Sequence, residues 1–321
     1  MNPADLLRLN LLSPVVLAFA LGLLLTLLQS DLKFPDDLYA GLTIYLLLAI
    51  GLKGGAELAE TPLADFWKPA LATVAVGVLT PLLSFLVLRR LGRFDPINAA
   101  ALAAHYGSVS VVTFMAAQAF LQALQVPAES FLATLVVLLE IPAILVGLLL
   151  AGPPKDRAHS WAEVLREVAT GRGVVLLLGG LLIGLLAGKH GLDRVAPFFV
   201  APFQGAVMLF LLEMGMVAAR RLRDLKKVGH FLVAFAVVIP LVHGLLGAAL
   251  GTAAGLSLGG TMILATLAAS ASYIAAPAAV RMALPQANPS YYLTASLGIT
   301  FPFNLTVGIP IYYALARWLH G

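Results

Sequence analysis

The chain has 321 residues, of which 60% are hydrophobic and 11% charged, with a formal net charge of +4 and no cysteine. Soluble domains carry roughly 25% charged and 45–50% apolar residues, and the mean hydropathy of +0.96 lies far above that class. These figures exclude a soluble enzyme, a disordered chain, a nucleic-acid binder, disulfides, thiolate metal sites and cysteine nucleophiles.

A bilayer crossing needs roughly 20 apolar residues. The first such stretch, 11–29, runs into the polar Gln29-Ser30-Asp31-Leu32-Lys33 with no small-x-small cleavage site, so it reads as a retained span rather than a signal peptide. Further candidates follow at 38–58, 69–91, 98–122, 130–151, 172–189, 197–219, 229–254, 259–283 and 291–318. Together these ten spans leave no room for a soluble domain. The longest polar stretch, 152–172, carries Trp161, Val164, Leu165 and Val168 at the spacing of a short amphipathic helix lying at the interface.

Setting the second half on the first at an offset of about 160 aligns Ser110 with Ser270, Ser130 with Ser290, and Pro142 with Pro302. Thr80-Pro81-Leu82 falls near Ile239-Pro240-Leu241, and Gly51 near Gly215. The common order predicts a duplication, residues 1–155 and 156–321, with five spans each. An odd number inverts the second repeat, the usual plan of secondary transporters, which bind near the midplane. Most Lys and Arg residues fall in the loops after odd-numbered spans, among them Arg89, Arg90, Arg93, Lys155, Arg157, Arg172, Arg220, Arg221, Arg223, Lys226, Lys227 and Arg281. That asymmetry puts these loops in the cytoplasm and both termini outside. The expected location is a bacterial inner membrane, multi-pass.

Spans four and nine hold equivalent places in the two repeats, and both are poor continuous helices. One contains His105-Tyr106-Gly107-Ser108-Val109-Ser110 and Thr113; the other contains Ala269-Ser270-Ala271-Ser272-Tyr273 and Pro277. Broken helices there expose amides that hold an anion and carbonyls and hydroxyls that hold a small cation. Tight packing of small residues is the alternative reading. Glu140, deep in span five and just before Pro142, binds a cation, relays a proton or serves as a hydrogen-bonded structural acid. Thr300 takes its place in the second repeat, followed by Asn304; their oxygens complete a cation site, or Asn304 bridges helices. Glu213 in span seven is either functional or an interhelical contact. Lys53 and Glu57 form a helix pair, His105 and His243 are packing residues, and Arg281 reaches toward the cytoplasm. No hydrolase, zinc or phosphate-loop motif occurs. The expectation is therefore a transporter and not an enzyme or an ATP-driven pump, with no organic cofactor. An intramembrane enzyme using Ser110 with His105, or a non-transporting sensor or scaffold, are the competing classes.

Along nearly its whole length the chain resembles the sodium-dependent bicarbonate transporter family first known from cyanobacteria. The resemblance rests on Gly51-Leu52-Lys53-Gly54-Gly55, Gly107-Ser108-Val109-Ser110, Glu140-Ile141-Pro142-Ala143, Met214-Gly215-Met216, Val242-His243-Gly244, Ser257-Leu258-Gly259-Gly260, Ala268-Ala269-Ser270 and Leu284-Pro285-Gln286-Ala287-Asn288-Pro289-Ser290. It implies an all-α polytopic membrane protein with inverted repeats, a gate of spans 1, 2, 6 and 7, and a core of spans 3–5 and 8–10. It further implies a homotrimer and sodium-coupled symport of bicarbonate by alternating access. By motif position, Gly107, Ser108, Ser110, Ala269 and Ser270 would face the anion, with Tyr273 where the family commonly has an acid. Thr113 and Ser272 would also face the site by motif position, with sodium beside the anion; Glu140, Thr300 and Asn304 join the sodium site on the reading of span five and its repeat given above. Glu140 replaces the family's Asp, and the linker between the halves is short. A different small carboxylate, coupling to protons through Glu140, and a PII-like regulatory partner are further possibilities that this resemblance raises.

Overall fold

A computed structural model describes residues 2–152, 161–222 and 224–321; Lys155, Arg157, Arg223 and the expected repeat boundary after 155 lie outside the described residues. The described elements are all helices.

The chain starts with α1 (Pro3–Leu11) and α2 (Pro14–Leu27), each opened by a proline and capped by the side chain of Asn2 or Ser13. They meet at a 62° bend. The first span is thus preceded by a separate short helix that its apolar pattern does not reveal. Asn10, 2% exposed, explains the bend's stability: its side-chain amide donates to the carbonyls of Leu305 and Thr306 at 2.8 and 2.9 Å. Thr306 is four residues before Pro310, which has no N–H to offer that carbonyl. Asn10→Ala leaves both acceptors without this partner and is expected to cost on the order of 1–3 kcal/mol. The measurement is a lowered unfolding temperature in detergent; an unchanged one would show that water or another residue replaces the amide.

Next come α3 (Asp36–Ala59), α4 (Leu63–Arg90), α5 (Pro96–Gly107), α6 (Val111–Ala123) and α7 (Leu132–Leu149). Asp95 caps α5; burial raises its pKa, but hydrogen bonds from Asn98 and from the amides of Asn98 and Ile97 outweigh this and hold it below the usual carboxylate range. The expected amphipathic helix is α8 (Trp161–Thr170), with Val164 and Val168 buried and Leu165 exposed. It packs on α7, α9 and α13.

The second half holds α9 (Arg172–Phe199), α10 (Phe203–Leu222), α11 (Leu225–Ala253), α12 (Leu258–Ala269), α13 (Ala276–Ala283) and α14 (Pro289–His320). The sixth span, expected over 172–189, reaches a break in the helix at its expected end. Gly188, at φ +61° and ψ −169°, is non-helical and kinks the chain, and a second helical stretch within α9 then carries Lys189, His190, Asp193 and Arg194 on to Phe199. The following span accordingly starts at Phe203 rather than 197. Within α14, Pro302 cannot bond the carbonyl of Gly298, and the flanking Thr294–Thr300 and Asn304–Gly308 are π-wound.

Among the described residues, eight helices are long and apolar enough to cross a membrane when α5 and α6 count together as Pro96–Ala123, nine if α1–α2 also counts as one span. α12 and α13 are individually too short, being 12 and 8 residues long. Packing follows a reciprocal scheme: α2 lies on α10 and α3 on α9, while α4, α5 and α7 cluster together, as do α11, α12 and α14. The α3–α9 contact is a backbone seam. A Cβ at Gly51, Gly55, Gly180 or Gly184 would run into the opposing main chain, the close approach that small residues four apart allow. Leu186 at 86% exposed, with Leu71 and Leu182, belongs to the apolar outside that lipid covers. By contrast α5, α6 and α12 are almost wholly buried.

Candidate functional site

Two helices break side by side in the core. α5 ends at Gly107, where a Cβ would strike the ring of Pro81 on α4, and the chain runs extended through Ser108 to Ser110 before α6 starts. α12 ends at Ala269, Ser270 is extended, and α13 begins at Ala276. A break strands amides and carbonyls that must find other partners, and the two breaks partly supply each other. The Ser110 amide donates to Ser270 Oγ at 2.9 Å, and the Ser272 amide donates to the His105 carbonyl at 2.8 Å. Ser110 Oγ caps α6, accepting from the Thr113 amide at 3.2 Å and the Thr113 hydroxyl at 3.0 Å. It also donates to the Tyr273 hydroxyl at 3.2 Å. Ser270 Oγ donates to the Leu267 carbonyl, and Ser272 Oγ accepts from the Ala276 amide.

Beside these breaks is a cavity of about 10 Å³, lined by Ser110, Ser272, Tyr273, Glu140 and Gly173 with apolar neighbours. That is room for about one water. Glu140 is 4% exposed, and its Oε2 is buried without a hydrogen-bond partner among the described residues. Gly173, one residue into α9, brings the backbone against this carboxylate: a Cβ there would lie 3.7 Å from Glu140 Oε1. A buried carboxyl oxygen without a donor is costly. It is the polar group of this cavity that the described residues leave unsatisfied.

The expected residues thus divide. Ser110, Ser272, Tyr273 and Glu140 line one cavity, with Ser270 and Thr113 bonded to Ser110 directly behind it. Ser108 Oγ is buried and without a partner among the described residues but does not line the cavity, and Gly107 is a helix-packing position. Thr300 and Asn304 do not line this cavity and hydrogen-bond backbone carbonyls. Thr300 donates at 2.6 Å to the carbonyl of Ala236, four residues before Pro240, and is hydrogen-bonded to Tyr106. Asn304 donates at 2.8 Å to the carbonyl of Ala269, at the end of α12, and accepts from Tyr312.

The other polar residues are held away from the cavity. Glu213 accepts from Arg220 at 2.8 Å, and Lys53 and Glu57 pair at 3.9 Å. His105 bonds the Ala101 carbonyl and stacks on Tyr292, and His243 lies against Ser84. Two contributors escape the sequence reading. Gly173 carries no mark beyond being a glycine at the start of a span. Glu129 clasps the beginning of α12 through the amide and hydroxyl of Ser257, at 2.5 and 3.0 Å.

The fold and site define a polytopic helical membrane protein organised around two interrupted helices and a buried acid. Residues 14–317 match the family model of the Na+-dependent bicarbonate transporter superfamily, and the chain belongs to that superfamily. No curated protein matches the chain. Membership implies bicarbonate and sodium as the transported species, and a transporter rather than an enzyme.

Proposed function

We propose that this protein is a sodium-coupled symporter that moves bicarbonate by alternating access. The observation that carries the reading is the cavity where both helix breaks and Glu140 converge. The N-terminus of α6 supplies positive partial charge suited to an anion, while Glu140 supplies a negative charge in the same cavity. At about 4 Å two like charges near a protein surface repel by about 4 kcal/mol. The anion and an ionised Glu140 therefore occupy the cavity together only when a cation accompanies them, which is the physical content of symport. A proton on Glu140 would serve as well as sodium; the unpartnered Oε2 supports that second reading.

Ten crossings in two inverted repeats accommodate the packing if α12 and α13 together make the ninth crossing. The reciprocal pairs α2–α10 and α3–α9 support a two-fold relation between the halves, and they form the gate. The remaining spans form the core, which carries Ser110, Ser272, Tyr273 and Glu140. The cavity's small volume is consistent with a site that opens only when core and gate move apart, gate helices contributing Leu47 and Gly173 to its wall. The protein would work as a homotrimer in a bacterial inner membrane, with both termini outside. A PII-like partner is retained as part of the family expectation.

Labelled bicarbonate uptake into proteoliposomes tests the reading. Replacing an inward sodium gradient by choline is expected to abolish uptake, and uptake unchanged in choline would overturn sodium coupling. Ser270→Ala, which removes the acceptor of the Ser110 amide, is expected to lower uptake about tenfold, the equivalent of about 1.4 kcal/mol.

A further inference from the structure

A second, larger cavity of about 250 Å³ adjoins the first, and Gly173 and Ile274 line both. Its charged lining is Arg172 at the start of α9, Arg281 near the end of α13, and half-buried Glu167 on α8. Neither guanidinium forms an ion pair or a hydrogen bond with a described residue. Among the described residues, two arginines without an ion pair against one carboxylate leave the lining net positive. Their planar forks match a planar oxyanion in a way that a lysine ammonium does not.

We infer that this cavity is an anion vestibule, in which Arg172 and Arg281 hold a planar oxyanion on its way between the Ser110–Ser272–Tyr273 cavity and the solvent on the side of α8. The inference rests on the transport reading above, under which the anion is bicarbonate. The two arginines stand on different moving parts. Arg281 travels with α13 and hence with the core, whereas Arg172 stays with the gate helix α9. Core movement changes the distance between the guanidiniums, so one stage of the cycle clamps the anion and another releases it. Glu167 opposes the anion and limits how tightly the vestibule holds it, as a transit site requires.

The test uses the full chain in right-side-out and inside-out membrane vesicles with labelled bicarbonate. Arg172→Gln with Arg281→Gln is expected to raise the half-saturating bicarbonate concentration about fivefold when bicarbonate is presented on the α8 side. From the opposite side the value should stay within roughly twofold. Arg172→Lys with Arg281→Lys should restore part of the loss, because charge is kept and the fork is not. Unchanged half-saturation on both sides overturns the vestibule, and so does an equal loss on both sides. If wild-type vesicles of either orientation take up no bicarbonate, the transport reading fails instead. The vestibule is then judged on detergent-purified protein by line broadening of 13C-bicarbonate, which the Gln pair should abolish; broadening equal to wild type overturns it. Unfolding temperatures of the single variants identify any loss that comes from misfolding.

Discussion

Glu140→Gln is expected to leave the protein folded and to strip its transport of cation dependence. Gln has nearly the same shape and removes the one carboxylate in the cavity lining. The anion then no longer needs a companion cation, and the cation loses its ligand. Uptake driven by a sodium gradient should fall to about a tenth of wild type or less, a loss of at least about 1.4 kcal/mol in coupling. The residual flux should be the same in sodium and choline. The unfolding temperature should hold or rise, because a neutral amide is cheaper to bury than a carboxyl without a partner. Wild-type sodium dependence in this variant would reduce Glu140 to a packing residue. If wild-type uptake follows a pH gradient and ignores sodium, the coupling ion is the proton.

The second large effect is expected at the α3–α9 seam. A Cβ at Gly184 would run into the Leu52 carbonyl, and one at Gly55 into the Leu181 carbonyl. These obstacles are main chain and cannot rotate away, so the helices themselves must separate. Gly184→Ala and Gly55→Ala are each expected to cost roughly 1–3 kcal/mol, and the corresponding Leu variants should fail to accumulate as folded protein. Gly179→Ala is the control, since a Cβ there meets nothing within 4 Å. Thermal unfolding in detergent reads all three. Equal stability of Gly184→Ala and Gly179→Ala would refute the backbone seam.

Span positions and both breaks were legible from composition because each has a local cause. Apolar runs mark the crossings, and Gly107, Pro277 and the serines around them mark where a helix is weak. Val164 and Val168 likewise announce α8 by their spacing alone. The role of Thr300 was not legible, and for Asn304 the sequence offered the helix bridge that the structure shows but could not choose it over a cation site. A small hydroxyl or amide beside a proline suits a cation site as well as a stranded carbonyl, and the choice depends on partners 64 and 35 residues away. Gly173 opposite Glu140 is legible only once α7 and α9 are side by side. The helical stretch past Gly188 was missed for another reason: charged residues there look like a loop, and the glycine torsion marks only the break that separates it from the span before it.

The contact of Asn10 with α14 has a consequence for biogenesis. The two partners are separated by 295 and 296 residues, so α1 is synthesised long before the carbonyls it serves exist. Until α14 inserts, Asn10 must wait with its amide facing water or lipid headgroups, and α1 cannot dock in its final place. Closure of the chain's two ends on each other is therefore a late event in assembly, and damage to α14 would be felt first at the opposite end of the polypeptide.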